Sequence, residues 1–431
     1  MLICLAGCGN DVIIDVISND TGKTQSTVAD DAAAEASEQS EAADTADASD
    51  AASSGETDSS EPAADTADGA APSGDVAQTN PAGLKTIAKE DVKVGVLYIG
   101  SASETSGYTY AHELGIQGMA ANLGLAPEQV VRKENIDDGD EAAITKALDE
   151  CIAEGCNIIF TTSWGYMEAT AKYAEEYPDI YFAHGTGYMS NGKNFTNYFG
   201  RIYQARYLSG LVAGLKTQSN KIGYVSAMGS DNSECTGGID AFSIGVAKVN
   251  PEAQVFVAVT NSWYDPEGEQ KASGALIGQG CDVLAQHVDT TAPQTVSEAN
   301  GTWSIGYNSD MSKETPNATL TSVIWNWSAY YTSYVSSIIY GTYDGSNYFG
   351  GMDESLIGLT GISDLCDPQT ASIVEEEKQK IMTGEFGVFD GVIETNDGST
   401  VGTEGTTLDD ATISGGINWY YKNVQVINWN E

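Results

Sequence analysis

Aromatic and carboxylate side chains recur just past short apolar runs along this chain. Tyr108 and Tyr110 follow the run at 94–99. Ser163-Trp164-Gly165-Tyr166-Met167 follows the run at 158–161, and Asn261-Ser262-Trp263-Tyr264-Asp265-Pro266 follows 255–259. His287 and Asp289 come after 283–286, Asn308-Ser309-Asp310 after 305–307, and Trp325-Asn326-Trp327 after Val323. Flat π faces with a few acceptor carboxylates suit a planar heteroaromatic ligand that carries N–H donors. Taken singly, each aromatic reads equally well as core packing; their recurrence at strand ends is what points to one cleft.

Other chemistries lack their residues. There is no G-x-x-x-x-G-K-[ST] and no G-x-G-x-x-G after a strand, so no phosphate cradle. No G-x-S-x-G elbow presents a nucleophile. The seven cysteines (Cys4, Cys8, Cys151, Cys156, Cys235, Cys281 and Cys366) are scattered, with no C-x-x-C pair and no Cys/His cluster, so neither a metal site nor a cofactor is expected. Cys151 and Cys156 span a helix end and a strand start; a disulfide is open to them, and free thiols are the expectation. His112 and His184 read as structural.

The elements that must carry these loops alternate. Strands are expected at 94–99, 129–132, 157–161, 180–183, 221–225, 254–259, 283–286, 303–307 and 322–325. Helices are expected at 110–121, 140–154, 166–176, 204–215, 237–249, 267–278, 328–340 and 372–383. Strands alternating with helices of this length predict an α/β fold with parallel sheets. The units are too many for one ordinary sheet and divide into two similar arrays, so two lobes with a cleft between them are expected. The stretch 94–115 is the first βα turn, and the carboxyl end of such a strand is where open α/β sheets hold ligands.

What precedes this body differs in composition. Leu5-Ala6-Gly7-Cys8 has the form of a bacterial lipobox, with Cys8 as the lipidated residue and 1–8 as a signal remnant. Residues 9–84 read as an acidic disordered tether, with fifteen acids against Lys23 between 18 and 84 and no aromatic residue there. The ligand-binding body is then 85–431. Over all 431 residues, 62 acids face 19 Lys and Arg, a net charge of −43. Such a field repels nucleic acid and anionic lipid surfaces, which leaves a lipid anchor as the expected route to the cell membrane, on its extracytoplasmic face.

The body resembles the basic membrane protein family, the purine-nucleoside-receptor-like substrate-binding lipoproteins of bacterial ABC importers. The resemblance rests on Gly107-Tyr108-Thr109-Tyr110-Ala111-His112-Glu113-Leu114-Gly115, Thr162-Ser163-Trp164-Gly165-Tyr166-Met167, the stretch 201–210, Asn261-Ser262-Trp263-Tyr264-Asp265-Pro266, Gln286-His287-Val288-Asp289 and Thr321-Ser322-Val323-Ile324-Trp325-Asn326-Trp327. It implies the type I periplasmic-binding-protein fold: two flavodoxin-like lobes (91–202 with 327–345, and 203–326 with 346–431) joined near 200–203, 326–328 and 343–349. It implies a receptor without catalysis, whose partners are a small purine and an ABC permease. Tyr108 and Trp263 fall where two aromatics sandwich the purine, Asp289 and Asp310 are expected to accept ring N–H groups, and Trp164 and Trp325 to wall the site. Two positions depart from nucleoside-binding relatives: Ile99 stands for an Asp and Trp325 for a Lys, both expected to serve the ribose. The resemblance therefore implies a free base such as adenine, with a nucleoside next. The alternatives are a binding protein for another small ligand, a surface sensor, or least of all a nucleoside hydrolase. The last needs clustered acids for calcium near the first strand, where 101–107 offers Glu104 alone.

Overall fold

The computed structural model describes residues 79–430. Strand β1 (Val94–Leu97) is four buried residues in a row, as a strand covered on both faces requires. The chain continues through α1 (Gly107–Leu123), β2 (Val130–Lys133), α2 (Glu141–Ala153), β3 (Ile158–Thr161), α3 (Met167–Glu176), β4 (Tyr181–His184) and β5 (Phe195–Gly200). A second array follows: α4 (Ile202–Lys216), β6 (Lys221–Ser226), α5 (Ser233–Val249), β7 (Gln254–Val259), α6 (Pro266–Gly278), β8 (Val283–His287), α7 (Ala292–Asn300), β9 (Trp303–Asn308) and β10 (Thr319–Trp325). The remainder is α8 (Trp327–Ile339), β11 (Tyr348–Gly350), β12 (Ile357–Leu359), α9 (Thr370–Met382), β13 (Asp390–Glu394), β14 (Thr400–Thr407), α10 (Asp410–Gly415) and β15 (Val424–Val426).

The first sheet is ordered β2-β1-β3-β4-β5-β11 and the second β15-β7-β6-β8-β9-β10-β12. Both repeat one winding. β1 lies between β2 and β3, with Val94 paired to Val130 and Ile158. β6 lies in the same way between β7 and β8, with Ile222 paired to Val255 and Val283. This is the flavodoxin-like order, which opens a crevice where the winding reverses, at β1/β3 and again at β6/β8. The sheets are parallel except at β12, which pairs antiparallel with β10.

Several features depart from expectation. β5, α7, β12 and the β13–β14 hairpin carry too little apolar periodicity to be read locally; each is held by its neighbours. β11 pairs with β5, Tyr348 beside Tyr198, so the first sheet extends to Gly350 and the third crossing follows that residue. Composition assigns residues 79–84 to the tether, yet they pack on the first lobe. Leu84 is buried, and Asn80 donates to the Tyr181 hydroxyl at 2.7 Å. A composition window averages over such single anchors. Cys8 and most of the tether lie outside the described residues.

One buried network fixes the helix that carries the first candidate residue. Arg132 grips both oxygens of Glu113 at 2.8 Å, and the Tyr98 hydroxyl donates to Glu113 at 2.9 Å. It ties α1 to β1 and β2. A bidentate pair on a buried carboxylate holds direction as well as distance.

Candidate ligand-binding site

The loop after β1 turns back on itself, with the Gly100 N–H donating to Thr109 Oγ1 at 3.1 Å, and delivers Tyr108 at the start of α1. The Tyr108 hydroxyl donates to the Thr162 carbonyl past β3 at 2.7 Å. Its ring meets His112 edge to face at 4.5 Å. From there an aromatic stack crosses the hinge. His112 lies parallel to Trp327 at 4.7 Å, and Trp327 parallel to Trp325 at 4.5 Å. Trp325 ends β10 in the second lobe and Trp327 opens α8 in the first. Burial pushes His112 down to about 3, so its ring is neutral, with Nδ1 in a 2.7 Å hydrogen bond with the Tyr331 hydroxyl.

The second lobe answers at its own reversal point. After β6, Asn232 caps α5 by accepting from the Cys235 N–H at 3.0 Å, which places Glu234 in the first helical turn. After β8, the Asp289 N–H donates to the Trp263 carbonyl at 2.8 Å. Asn308, at the end of β9, donates from Nδ2 to the Asp289 carboxylate at 2.8 Å. The Trp263 ring meets His287 edge to face at 5.6 Å, and His287 meets Tyr307 at 4.9 Å. Trp325 Nε1 donates to the Tyr307 hydroxyl at 3.3 Å. Under Tyr307, 3.9 Å from its ring centre, lies the guanidinium of Arg206, which donates to the Gln286 carbonyl.

The electrostatics of this cluster are uneven. Burial pushes the Asp289 carboxyl up to about 7, against the Asn308 hydrogen bond and with the help of Glu269, Glu234 and Glu104. Burial also lifts Glu234 to about 7, while Arg206 pulls it the other way. Burial and then Arg206 push His287 well below its ordinary value. The 3.4 Å approach of His287 Nε2 to Glu234 is therefore a contact with a neutral imidazole and not an ion pair. Several buried polar atoms here have no partner within the protein: both His287 ring nitrogens, Asn308 Oδ1, and Nε and Nη2 of Arg206. Unpartnered groups are uncommon in protein interiors and mark a place where a ligand can complete the bonding.

The two lobes touch. Gly107 has φ +87°, and a Cβ placed on it would lie 2.5 Å from the Asp289 backbone oxygen. Only glycine allows that approach.

Of the residues singled out in the sequence, Tyr108, Trp263, Asp289 and Trp325 fall in this one network of contacts. Trp164 sits past β3, is 57% exposed and packs on Tyr188 at 5.7 Å. Asp310 is exposed and accepts from the N–H and hydroxyl of Ser312, at 3.0 and 2.6 Å. The structure brings neither to the cluster. Asp310 lies past the end of β9, where strand alternation no longer sets direction, and Asn308 takes the place nearest Asp289. Glu234 and Arg206 enter unanticipated. The loop before α5 has no aromatic to flag it, and a position five residues inside α4 has no strand end beside it. Among the described residues no three His, Cys, Asp or Glu side chains are grouped to hold a metal ion, and no helix is long and apolar enough to cross a membrane.

Known proteins resemble this chain in sequence and in fold. The family profile described as ABC transporter substrate-binding protein, PnrA-like, matches residues 91–390. A purine-binding protein of Brucella abortus is 35% identical over 337 residues, 78% of this chain and 94% of its own. A putative ABC transporter glucose-binding protein of Haloferax volcanii is 30% identical over 302 residues, 70% of this chain and 75% of its own. Among solved structures, an ABC transporter solute-binding protein from Aeropyrum pernix superposes with a TM-score of 0.58 at 19% identity, over 69% of this chain and 92% of that one. One from Conexibacter woesei gives 0.57 at 20% identity, over 69% and 98%. These likenesses speak for the type I solute-binding fold. With the profile spanning most of the body and the first relative nearly complete, the chain belongs to the Bmp family, the PnrA-like substrate-binding proteins of ABC transporters.

Proposed function

We propose that this chain captures a purine base between its lobes and presents it to an ABC permease. The observation that carries this reading is the meeting of two reversal points: Gly107, next to Tyr108, lies against the Asp289 backbone oxygen, the Trp263 carbonyl holds the Asp289 N–H, and Glu234 opens α5 in the same lobe as Asp289. A purine offers two π faces and N–H donors at its rim, the complement of that set. The purine-binding name of the Brucella abortus relative supports it. Ile99 and Trp325 favour a free base, adenine first. Ile99 has no acceptor, and the Trp325 indole is spent on Trp327 and Tyr307. Beside the buried Trp325, a ribose hydroxyl left unpaired costs about 1–3 kcal/mol. The receptor acts outside the cytoplasm, as its family does, and Cys8 within Leu5-Ala6-Gly7-Cys8 is its lipidation site.

Calorimetry with adenine, guanine, hypoxanthine, adenosine, inosine and D-glucose tests the reading. Adenine is expected to bind tightest, with Kd between roughly micromolar and nanomolar for a ligand of about ten heavy atoms. Binding of glucose and of no purine overturns it. Ile99→Asp is expected to narrow the gap between adenine and adenosine; an unchanged gap removes Ile99 from discrimination.

The two carboxylates make affinity depend on pH. Ligand N–H groups bind the carboxylate form, so binding lowers carboxyl pKa values that stand at about 7 in the free protein. Affinity is then full above that value and falls as pH drops through it. Each carboxylate that must give up a proton weakens binding by about tenfold per pH unit below 7. Titrations at pH 8 and pH 6 check the sign; tighter binding at pH 6 would place the ligand elsewhere.

A further inference from the structure

The end of α2 carries a second feature, unrelated to the ligand. Gly155 takes φ +85°, so the chain turns back over the helix. Its N–H donates to the Ile152 carbonyl at 2.9 Å, and the Cys156 N–H to the Cys151 carbonyl at 3.0 Å. These two bonds are the Schellman pattern, in which the residue two past the cap packs on the third from the end. An apolar pair usually fills those positions. Here both are cysteines, both buried, and the place where a Gly95 Cβ would stand is 2.9 Å from Cys151 Sγ and 3.2 Å from Cys156 Sγ. The thiols share one niche against β1.

We propose that Cys151 and Cys156 form a disulfide in the protein at work, closing the α2–β3 turn. Two observations join here: the motif holds the two thiols together, and the family acts outside the cytoplasm, where disulfides persist. Cys156, which lies past the end of α2, is the attacking thiol in the still-open chain. Its thiolate attacks an oxidising disulfide of the glutathione or oxidoreductase kind and expels one thiolate. Cys151, deprotonated, then attacks Cys156 Sγ and expels the second. The cysteines lose two protons and two electrons, and the oxidant disulfide is reduced to two thiols. The exchange belongs to folding, before the niche is sealed.

The test uses the full chain recovered from outside the cytoplasm, unfolded in an alkylating agent without reductant and digested with trypsin. Residues 147–172 form one tryptic peptide holding both cysteines and no other. It is expected to carry no alkyl group, to be two hydrogen masses lighter than the dithiol, and to accept two alkyl groups after reduction. Two alkyl groups without reduction overturn the proposal and leave an ordinary packing contact. In a second measurement, reduced chain is refolded in glutathione buffers of rising oxidation. The internal bond is expected to form while Cys235, Cys281 and Cys366 still alkylate; a glutathione adduct in its place overturns it. Both readouts are independent of which ligand binds.

Discussion

Gly107→Ala is expected to weaken purine binding by at least about a hundredfold, or about 3 kcal/mol, while the ligand-free protein still folds. The added Cβ would sit 2.5 Å from the backbone oxygen of Asp289. A backbone carbonyl in a parallel-sheet loop cannot swing aside as a side chain can. This oxygen also belongs to the residue that Trp263 and Asn308 hold in place. The lobes must part instead, and a gap of about an ångström forfeits roughly a quarter to a half of the van der Waals attraction along the seam. Tyr108 and Asp289 then no longer reach one ligand together. The positive φ adds about 1–2 kcal/mol of backbone strain for a residue with a Cβ, so a modest fall in melting temperature is expected. Calorimetry beside a thermal melt separates the effects. Unchanged affinity would mean that the two loops do not meet in the liganded protein.

The second large effect concerns Trp263. Trp263→Ala is expected to raise the purine Kd by about thirtyfold to a thousandfold, the range of about 2–4 kcal/mol for an aromatic hot spot. The residue suits the test because its two roles are separable. Its carbonyl holds the Asp289 N–H and survives the substitution, whereas its half-buried ring meets His287 and leaves with it. Trp263→Phe keeps a π face and is expected to recover most of the affinity. If alanine binds as tightly as tryptophan, Trp263 is outside the site. Tyr108→Ala is a poorer probe, because it also removes the hydroxyl that anchors the Thr162 carbonyl.

The hinge explains how one cluster serves two lobes. Trp325 and Trp327 are two residues apart, belong to different lobes, and stack at 4.5 Å. Any rotation of the lobes must slide these rings past each other. His112 extends the stack to Tyr108. A change at the first loop is thus in direct contact with the hinge, and coupling through it is a matter of packing.

Local sequence carried much of this. Apolar runs such as 94–97 and 283–286, each followed by a helical period, were enough for the parallel α/β grammar and for two lobes. A strand is defined by residues next to one another, and so is the loop that follows it. For that reason Tyr108, Trp263, Asp289 and Trp325 were legible as strand-end residues. What each loop faces is a different matter. Trp164 follows β3 as Tyr108 follows β1, yet one ring is out in solvent on Tyr188 and the other is in the seam. Asp310 was the nearer carboxylate by pattern, but it closes on Ser312, and Asn308 meets Asp289. Glu234 comes beside His287 only because β6 is wound into its sheet as β1 is into the other. Sheet order, the third crossing after Gly350 and the approach of Gly107 to Asp289 all join residues far apart in the chain. No window of sequence contains both partners of such a contact, so the tertiary structure alone decided them.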